Sequence, residues 1–343
     1  MGLFTCSSVF LLFLFGGLVR ATGSGMGCPD WPRCFGLWAP PTCECKLPGN
    51  YQQIFLEKRL QKVERFAKVL SAFGMEASAA RLRTDESIQA PEAFDPVKAW
   101  IEYINRLFGV LSGLFAMVYF GMAVLFRKRI ASGKGWGFVA LFLLLLNGWL
   151  GSLVVATNLL PGVVTLHFLL SFLCLFAYMV SLHKAVPFTF EQDLVLSKKH
   201  WFGLWLSVFF IVIIGAWSRE QVDGLRLAGK LYVDGDTSGF LGWGMLDVFA
   251  MDALFALHRY LPFGLLGWMI WLSRKQSTLG NQLSKSHPFS VIAMISAVQI
   301  ALGVVHIWFV VPAWAQVAHV VVGSALITYI FAVYLSSRAH QPS

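Results

Sequence analysis

The sequence predicts an all-α integral membrane protein: eight transmembrane helices arranged as two pseudo-symmetric four-helix bundles. Three observations carry that prediction. Hydrophobic residues make up 57% of the 343 and charged residues only 13%, about half the share usual in soluble domains, and mean hydropathy is +0.66. Eight apolar runs reach the length of about 20 residues that a helix needs to cross a bilayer. A sparse polar pattern in the first four runs recurs in the last four, the mark of an internal repeat. So few charges cannot cover a soluble protein of this size. The same composition excludes a disordered chain, a collagen-like fibre and a disulfide-dense secreted module.

The runs lie at roughly 3–21, 100–126, 136–156, 162–185, 200–218, 248–272, 289–311 and 313–336. The first resembles a signal peptide around Leu11 to Phe15 but has no basic n-region and ends in Arg20, so it reads as a retained helix. The third and fourth are separated only by the turn from Asn158 to Pro161, and the seventh and eighth only by Pro312. Each pair therefore reads as a tight helical hairpin. The first half, 1–185, holds spans one to four and the long loop 22–98. The second half, 186–343, holds the other four spans and a shorter loop, 219–247.

Orientation follows from the short loops. Arg127, Lys128, Arg129 and Lys134 lie between spans two and three. Lys184, Lys198 and Lys199 lie between four and five, and Arg274, Lys275 and Lys285 between six and seven. The two hairpin turns opposite carry no Lys or Arg. The positive-inside rule puts both termini in the cytoplasm and loops 22–98 and 219–247 outside. These inner segments and the C-terminal tail hold eleven Lys or Arg and two acids, Glu191 and Asp193, which is the whole of the net +9. The basic excess is thus a topology signal, and nothing in the sequence supports nucleic-acid binding.

The repeat is read from polar residues and glycines. Asn147 precedes Leu150-Gly151 by three and His167 follows that leucine by seventeen; Gln299, Leu302-Gly303 and His319 repeat both spacings. Asn105-Arg106 upstream of His167 answers to His258-Arg259 upstream of His319, and Gly17 with Arg20 answers to Gly215 with Arg219. Four spans per unit is an even number, so both halves enter from one side and the repeat is parallel, about an axis along the membrane normal.

Polar groups inside a membrane are costly and usually functional. His167, His258 and His319 each fall roughly 10 Å below the outer interface at 1.5 Å per residue. His258 and His319 stand on different helices of one bundle at one level, the arrangement of a bis-histidine haem clamp. Arg259, and Arg106 with Arg20 in the first half, suit haem propionates near the outer surface, although arginines at such depths also snorkel to headgroups. A single membrane histidine commonly makes an interhelical hydrogen bond instead; the pairing within a duplicated frame favours ligation. His306 lies in span seven with Val154 in its place in the repeat, and is set apart from the ligand pair. His183, His200, His287 and His340 fall at cytoplasmic ends and read as interfacial.

The motifs Gly16-Gly-Leu-Val-Arg-Ala-Thr-Gly-Ser-Gly-Met-Gly-Cys-Pro-Asp-Trp-Pro-Arg-Cys34 and Trp100-Ile-Glu-Tyr-Ile-Asn-Arg106, with the Leu-Gly…Pro…His hairpins, resemble the haem A synthase family. The resemblance spans nearly the whole chain. It implies an eight-helix enzyme of two similar halves that oxidises the C8 methyl group of haem O to the formyl group of haem A for haem-copper oxidases. It further implies a resident haem b on His258 and His319, the haem O substrate on His167, and Glu102 as the family's essential glutamate. Haem O synthase would supply the substrate and cytochrome oxidase would take the product, in a bacterial-type cell membrane. The electron donor and any association between copies stay open.

One position departs from the family. Its pattern is Glu-x-x-His-Arg, and this chain has Asn105 where the histidine paired with His167 stands. Asparagine is a poor iron ligand. Either the substrate haem is held on His167 alone, leaving a face for an oxidant with Asn105 as hydrogen-bond donor, or the first half has lost catalysis; survival of Glu102 and Arg106 on the same helix face favours the first. Glu102 itself either pairs with Arg106 or serves as a proton relay or stabiliser of charge at the methyl carbon, and burial and Arg106 push its pKa in opposite directions.

The outer loop holds Cys28, Cys34, Cys43 and Cys45, in a compartment that permits disulfides. Cys28 and Cys34 match the family's cysteine pair and flank a rigid Pro-Asp-Trp-Pro-Arg turn, which favours a bridge between them, although four cysteines allow three pairings. Cys43 and Cys45 stand too close in sequence to bridge each other comfortably and receive no partner. Cys6 and Cys174 read as buried core. Residues Gln52 to Phe73 carry apolar positions at Leu56, Leu60, Val63, Ala67 and Leu70, an amphipathic helix over the outer mouth of the first half.

Overall fold

The computed structural model describes residues 1–91, 93–126, 133–157, 159–188, 197–227, 253–279, 288–309 and 311–337. Arg127, Lys128, Arg129, Asn158, Glu191, Asp193, Lys285, His287, Arg338, His340 and the part of loop 219–247 beyond Leu227 lie outside the described residues. The helices in order are α1 Gly2–Ala21, α2 Tyr51–Ala72, α3 Glu76–Thr84, α4 Glu86–Gln89, α5 Pro96–Leu125, α6 Lys134–Ala156, α7 Pro161–Ala185, α8 Lys198–Leu227, α9 Ala253–Leu279, α10 Pro288–Trp308 and α11 Ala313–Ser336. Eight of them (α1 and α5 to α11) are long and apolar enough to cross a membrane, and they coincide with the eight predicted runs.

Two compact units emerge. One comprises residues 1–126 and 134–178, the other Gly133 with the described residues from Met179 onward. In the first, α1 packs on α5, where Phe15 and Phe108 stack with centroids 3.9 Å apart, and α5 packs on α6. Helix α6 meets α7 through the Asn147 amide, which donates to Ser171 Oγ at 2.8 Å, and α7 returns to α1 through Phe13 and Phe172 at 4.4 Å. Four spans thus close a ring. In the second unit α8 packs on α9, α9 on α10, α10 on α11 and α11 back on α8, which closes another.

Local chemistry sets the helix ends. Pro96 opens α5, where its missing N–H costs nothing, and Asp95 accepts from the backbone N–H groups of Val97 at 2.9 Å and Lys98 at 3.1 Å. Both hairpins close alike: Leu159 N–H donates to the Val154 carbonyl and Val311 N–H to that of His306, each at 2.9 Å, with Leu159 and Val311 at positive φ. These bonds cap carbonyls that a helix end otherwise leaves bare. Inside α9, Pro262 cannot donate to the carbonyl four residues back, which is that of His258.

The segment between α1 and α5 forms a cap on the first unit. Cys28, Cys34, Phe35, Tyr51, Phe55 and Ala99 make a small core, and Phe66 of α2 packs with the Leu150, Val163 and Leu170 cluster of the α6–α7 hairpin. The buried face of α2 differs from the one its apolar spacing predicts. Its buried residues are Tyr51, Phe55, Arg59, Val63 and Ala67, while Leu60 is exposed. The stripe of four-residue steps was misphased at its start because the buried residue there is an arginine. Arg59, 2% exposed, runs beneath α4 and donates to the carbonyls of Ala90 at 3.2 Å and Ile88 at 3.5 Å. Helices α3 and α4 were not foreseen; Arg83 of α3 is tied to Glu64 of α2 by a two-bond ion pair at 2.9 and 3.2 Å.

Cys28 and Cys34 are bridged, as the family pattern implies. Cys43 and Cys45 are bridged as well, which corrects the expectation that they were too close. Cys43 is extended and the chain then turns through a short 3-10 segment, Glu44–Lys46, so the two Cα atoms come to 5.2 Å, within disulfide range.

Candidate functional site

In the first unit the glycine-rich run after α1 turns back over the start of α5. Gly27 passes so close that a Cβ there would collide with the backbone of Lys98 and Ala99, so no larger residue fits without moving main chain. This approach brings the Cys28 N–H to Glu102 Oε2 at 2.8 Å. The other carboxylate oxygen of Glu102 is paired with Arg106, one turn along α5. Arg106 also donates to the carbonyls of Asp30 at 2.6 Å, Cys28 at 2.9 Å and Arg33 at 3.0 Å. Four of the five guanidinium N–H donors are therefore committed. Glu102, 3% exposed, and Arg106 together latch the disulfide loop onto α5.

Asn105 is half-buried and makes no side-chain hydrogen bond among the described residues. His167, six residues into α7, packs against Gly151 of α6, where a Cβ would stand 3.2 Å from the ring Cε1. Its buried ring lies within reach of the Asn147 backbone, four residues before Gly151. Arg20 is half-buried near the end of α1.

In the second unit three imidazoles gather. His258 and His319 have ring centroids 6.3 Å apart, and His306 lies 5.0 Å from His319. A metal bonded to each of two imidazoles at about 2 Å fits between rings at the first spacing. His258 Nδ1 lies 3.1 Å from the Ile211 carbonyl of α8. That bond places the proton on Nδ1 and leaves the Nε2 lone pair for a metal, the second-shell device that orients ligand histidines. The His319 ring lies within reach of the Gln299 backbone, four residues before Gly303, and the His306 ring within reach of the Ala315 backbone. Gly215 makes room: a Cβ there would meet His258 Cε1 at 2.5 Å, and one at Gly303 would touch His319 Cε1 at 3.8 Å. Among the described residues no three His, Cys, Asp or Glu side chains are arranged to hold a bare ion. His258 and His319 would each offer one ring nitrogen, from different helices, to a metal-centred group.

His306, set apart on sequence, lies beside His319 in the structure. The missed signal is its spacing: three residues from Gly303, it shares the α10 face turned to His319. Its counterpart by offset, Val154, stands in the same hairpin bond of the first unit. Arg259 lies over the Tyr260 ring, with its centre 4.4 Å from the centroid, and donates to that phenol.

Comparison with known sequences points one way. The pattern of the cytochrome oxidase assembly protein family matches residues 1–62 and 74–331. The chain is similar to the haem A synthases of Paramagnetospirillum magneticum, 25% identical over 94% of this chain and 88% of the relative, and of Wolbachia pipientis, 25% identical over 99% and 93%. That of Shewanella oneidensis is 24% identical over 73% of this chain and 70% of its own. No solved structure matches significantly.

Proposed function

The chain belongs to the cytochrome oxidase assembly protein family, and from that premise we propose that it is a haem A synthase. It oxidises the C8 methyl group of haem O to a formyl group by successive hydroxylation, with haem O synthase upstream and cytochrome oxidase downstream. The observation that carries this reading is the second unit's imidazole pair, 6.3 Å apart across a ring of four apolar helices. His258 and His319 would hold haem b, which when bound supplies one-electron redox chemistry.

The first unit takes the substrate. His167 offers one buried imidazole, and Gly151 leaves the space beside it. Asn105, half-buried on α5, would offer an amide hydrogen bond to that substrate. Glu102 fixes the cap over the site: its two oxygens take the Cys28 N–H and the Arg106 guanidinium, so the disulfide loop and α5 hold one geometry. A carboxylate held in that way orients the site and keeps water out, and it gives or takes a proton only when the loop lets go. Positive-inside placement of the basic loops puts both termini in the cytoplasm of a bacterial-type cell and the cap outside.

Haem extraction tests the proposal. Expressed with a haem O synthase, this chain yields haem A or its hydroxylated precursor. A dihaem electron carrier built on the same histidines would cycle reversibly and yield neither. His258→Ala removes bound haem b; an unchanged spectrum in that variant overturns the assignment.

A further inference from the structure

A cavity of about 270 Å³ lies on the cap, between the α2 face Lys58, Gln61, Lys62 and Arg65 and the disulfide-loop segment Asp30 to Arg33. Its lining carries four cations and one carboxylate. Among the described residues no ion pair engages Lys58, Lys62 or Arg65; Lys58 lies over the Phe55 ring at 5.0 Å and Arg33 over Trp38 at 4.9 Å. Asp30 Oδ2 accepts from Gly36 N–H at 2.9 Å, and its Oδ1 is buried without a partner. The cavity thus holds an excess of unanswered positive charge, a demand for an anion.

One wall of this cavity is tied to the site already described. Asp30 and Arg33 in its wall are the residues whose carbonyls Arg106 grips, and Arg106 adjoins Asn105 on α5. Lys62 senses the charges of both Asp30 and Arg106; burial holds its ammonium below the usual range, Asp30 opposes that, and Arg106 and Lys58 add to it. Arg106 has spent four of its five donors on the loop and Glu102. It cannot be the main anchor for the two carboxylates of a haem.

We propose that this cavity is the propionate-binding site for the substrate haem, with Lys58, Lys62, Arg65 and Arg33 taking the two carboxylates. The inference rests on the reading of the first unit as the haem O site. The volume agrees: it falls below the roughly 300–1,000 Å³ of pockets that enclose a drug-sized ligand, so it takes the polar edge and leaves the macrocycle to the helices. Charge agrees as well, since each carboxylate meets charge-assisted donors, stronger than neutral ones. The cap then carries the substrate's polar edge on α2 as well as closing the site.

The test is an absorbance titration of the purified chain in neutral-lipid nanodiscs with haem O and with its dimethyl ester, which lacks free carboxylates. Wild type binds the free acid more tightly than the ester. Lys62→Glu with Arg65→Glu, and the milder Lys62→Met, weaken the free acid, the double variant about tenfold or more, and leave the ester unchanged. Retained ester binding and an intact haem b spectrum report a folded protein, and Lys46→Glu, outside the cavity, is the control. Equal affinity of wild type for acid and ester, or variants that bind the acid as wild type does, overturns the proposal. A preference that appears only in acidic phosphatidylglycerol discs assigns the cavity to lipid phosphate and overturns it too. Failure to bind haem O in either form contradicts the haem A synthase reading instead.

Discussion

Single atoms decide much of this site. Gly215 has no room for a Cβ, because His258 Cε1 would stand 2.5 Å away. Gly215→Ala is expected to displace that ring and lower haem b content to well under one per chain by pyridine haemochrome; full content would show that the ring has another resting place. At Arg106 the expected effect is on stability. Arg106→Gln leaves Glu102 buried without its cation, a change that typically costs about 3–5 kcal/mol, read as a lower midpoint in chemical unfolding. Asn105 offers a spectroscopic test. Loaded with haem O, the wild-type chain shows one low-spin and one high-spin component, and Asn105→His converts the high-spin component to low-spin. Two low-spin haems in the wild type would contradict the assignment of His167 as sole protein ligand.

At the scale of elements, the eight spans were legible because a 20-residue apolar run has few alternatives in a bilayer. The hairpins were legible from Pro161 and Pro312. The cap was less so. Its helix α2 was placed correctly, but the buried face was misphased because Arg59 lies inside, and a sequence pattern counts an arginine as solvated. What makes its burial tolerable is a pair of carbonyls about thirty residues away, invisible to any periodicity. Arg59→Met is therefore expected to loosen α4 and expose the stretch between Thr84 and Asp95 to limited proteolysis, with α2 itself intact; unchanged protection would show that packing alone holds it. The short-range Cys43–Cys45 bridge was missed for a related reason, since reach depends on backbone conformation and not on sequence separation. The α2–α3 contact carries a pH dependence of definite sign. Arg83, first by its hydrogen bond, holds the Glu64 carboxyl below its ordinary 4.5, so the contact is complete above that pH and weakens as pH falls through the lowered value. Glu64→Gln removes the dependence, checked by cross-linking α2 to α3 across pH.

For the whole molecule, two local features occur in each unit taken alone. His167 rests on Gly151 and His319 faces Gly303, and each hairpin closes by the same bond. What the repeat could not reveal is where the units diverge. His306 lies beside His319 in the second unit where Val154 stands in the first, and Arg106 is bound to the disulfide loop and Glu102. The central claim is chemical, and one measurement reaches it directly. Membranes containing this chain and a haem O synthase are extracted and the haems separated by chromatography with mass detection. The account predicts haem A or its hydroxylated precursor, absent when His167 is replaced by alanine. Haem O and haem B alone, in a chain that retains its low-spin haem b, would contradict it.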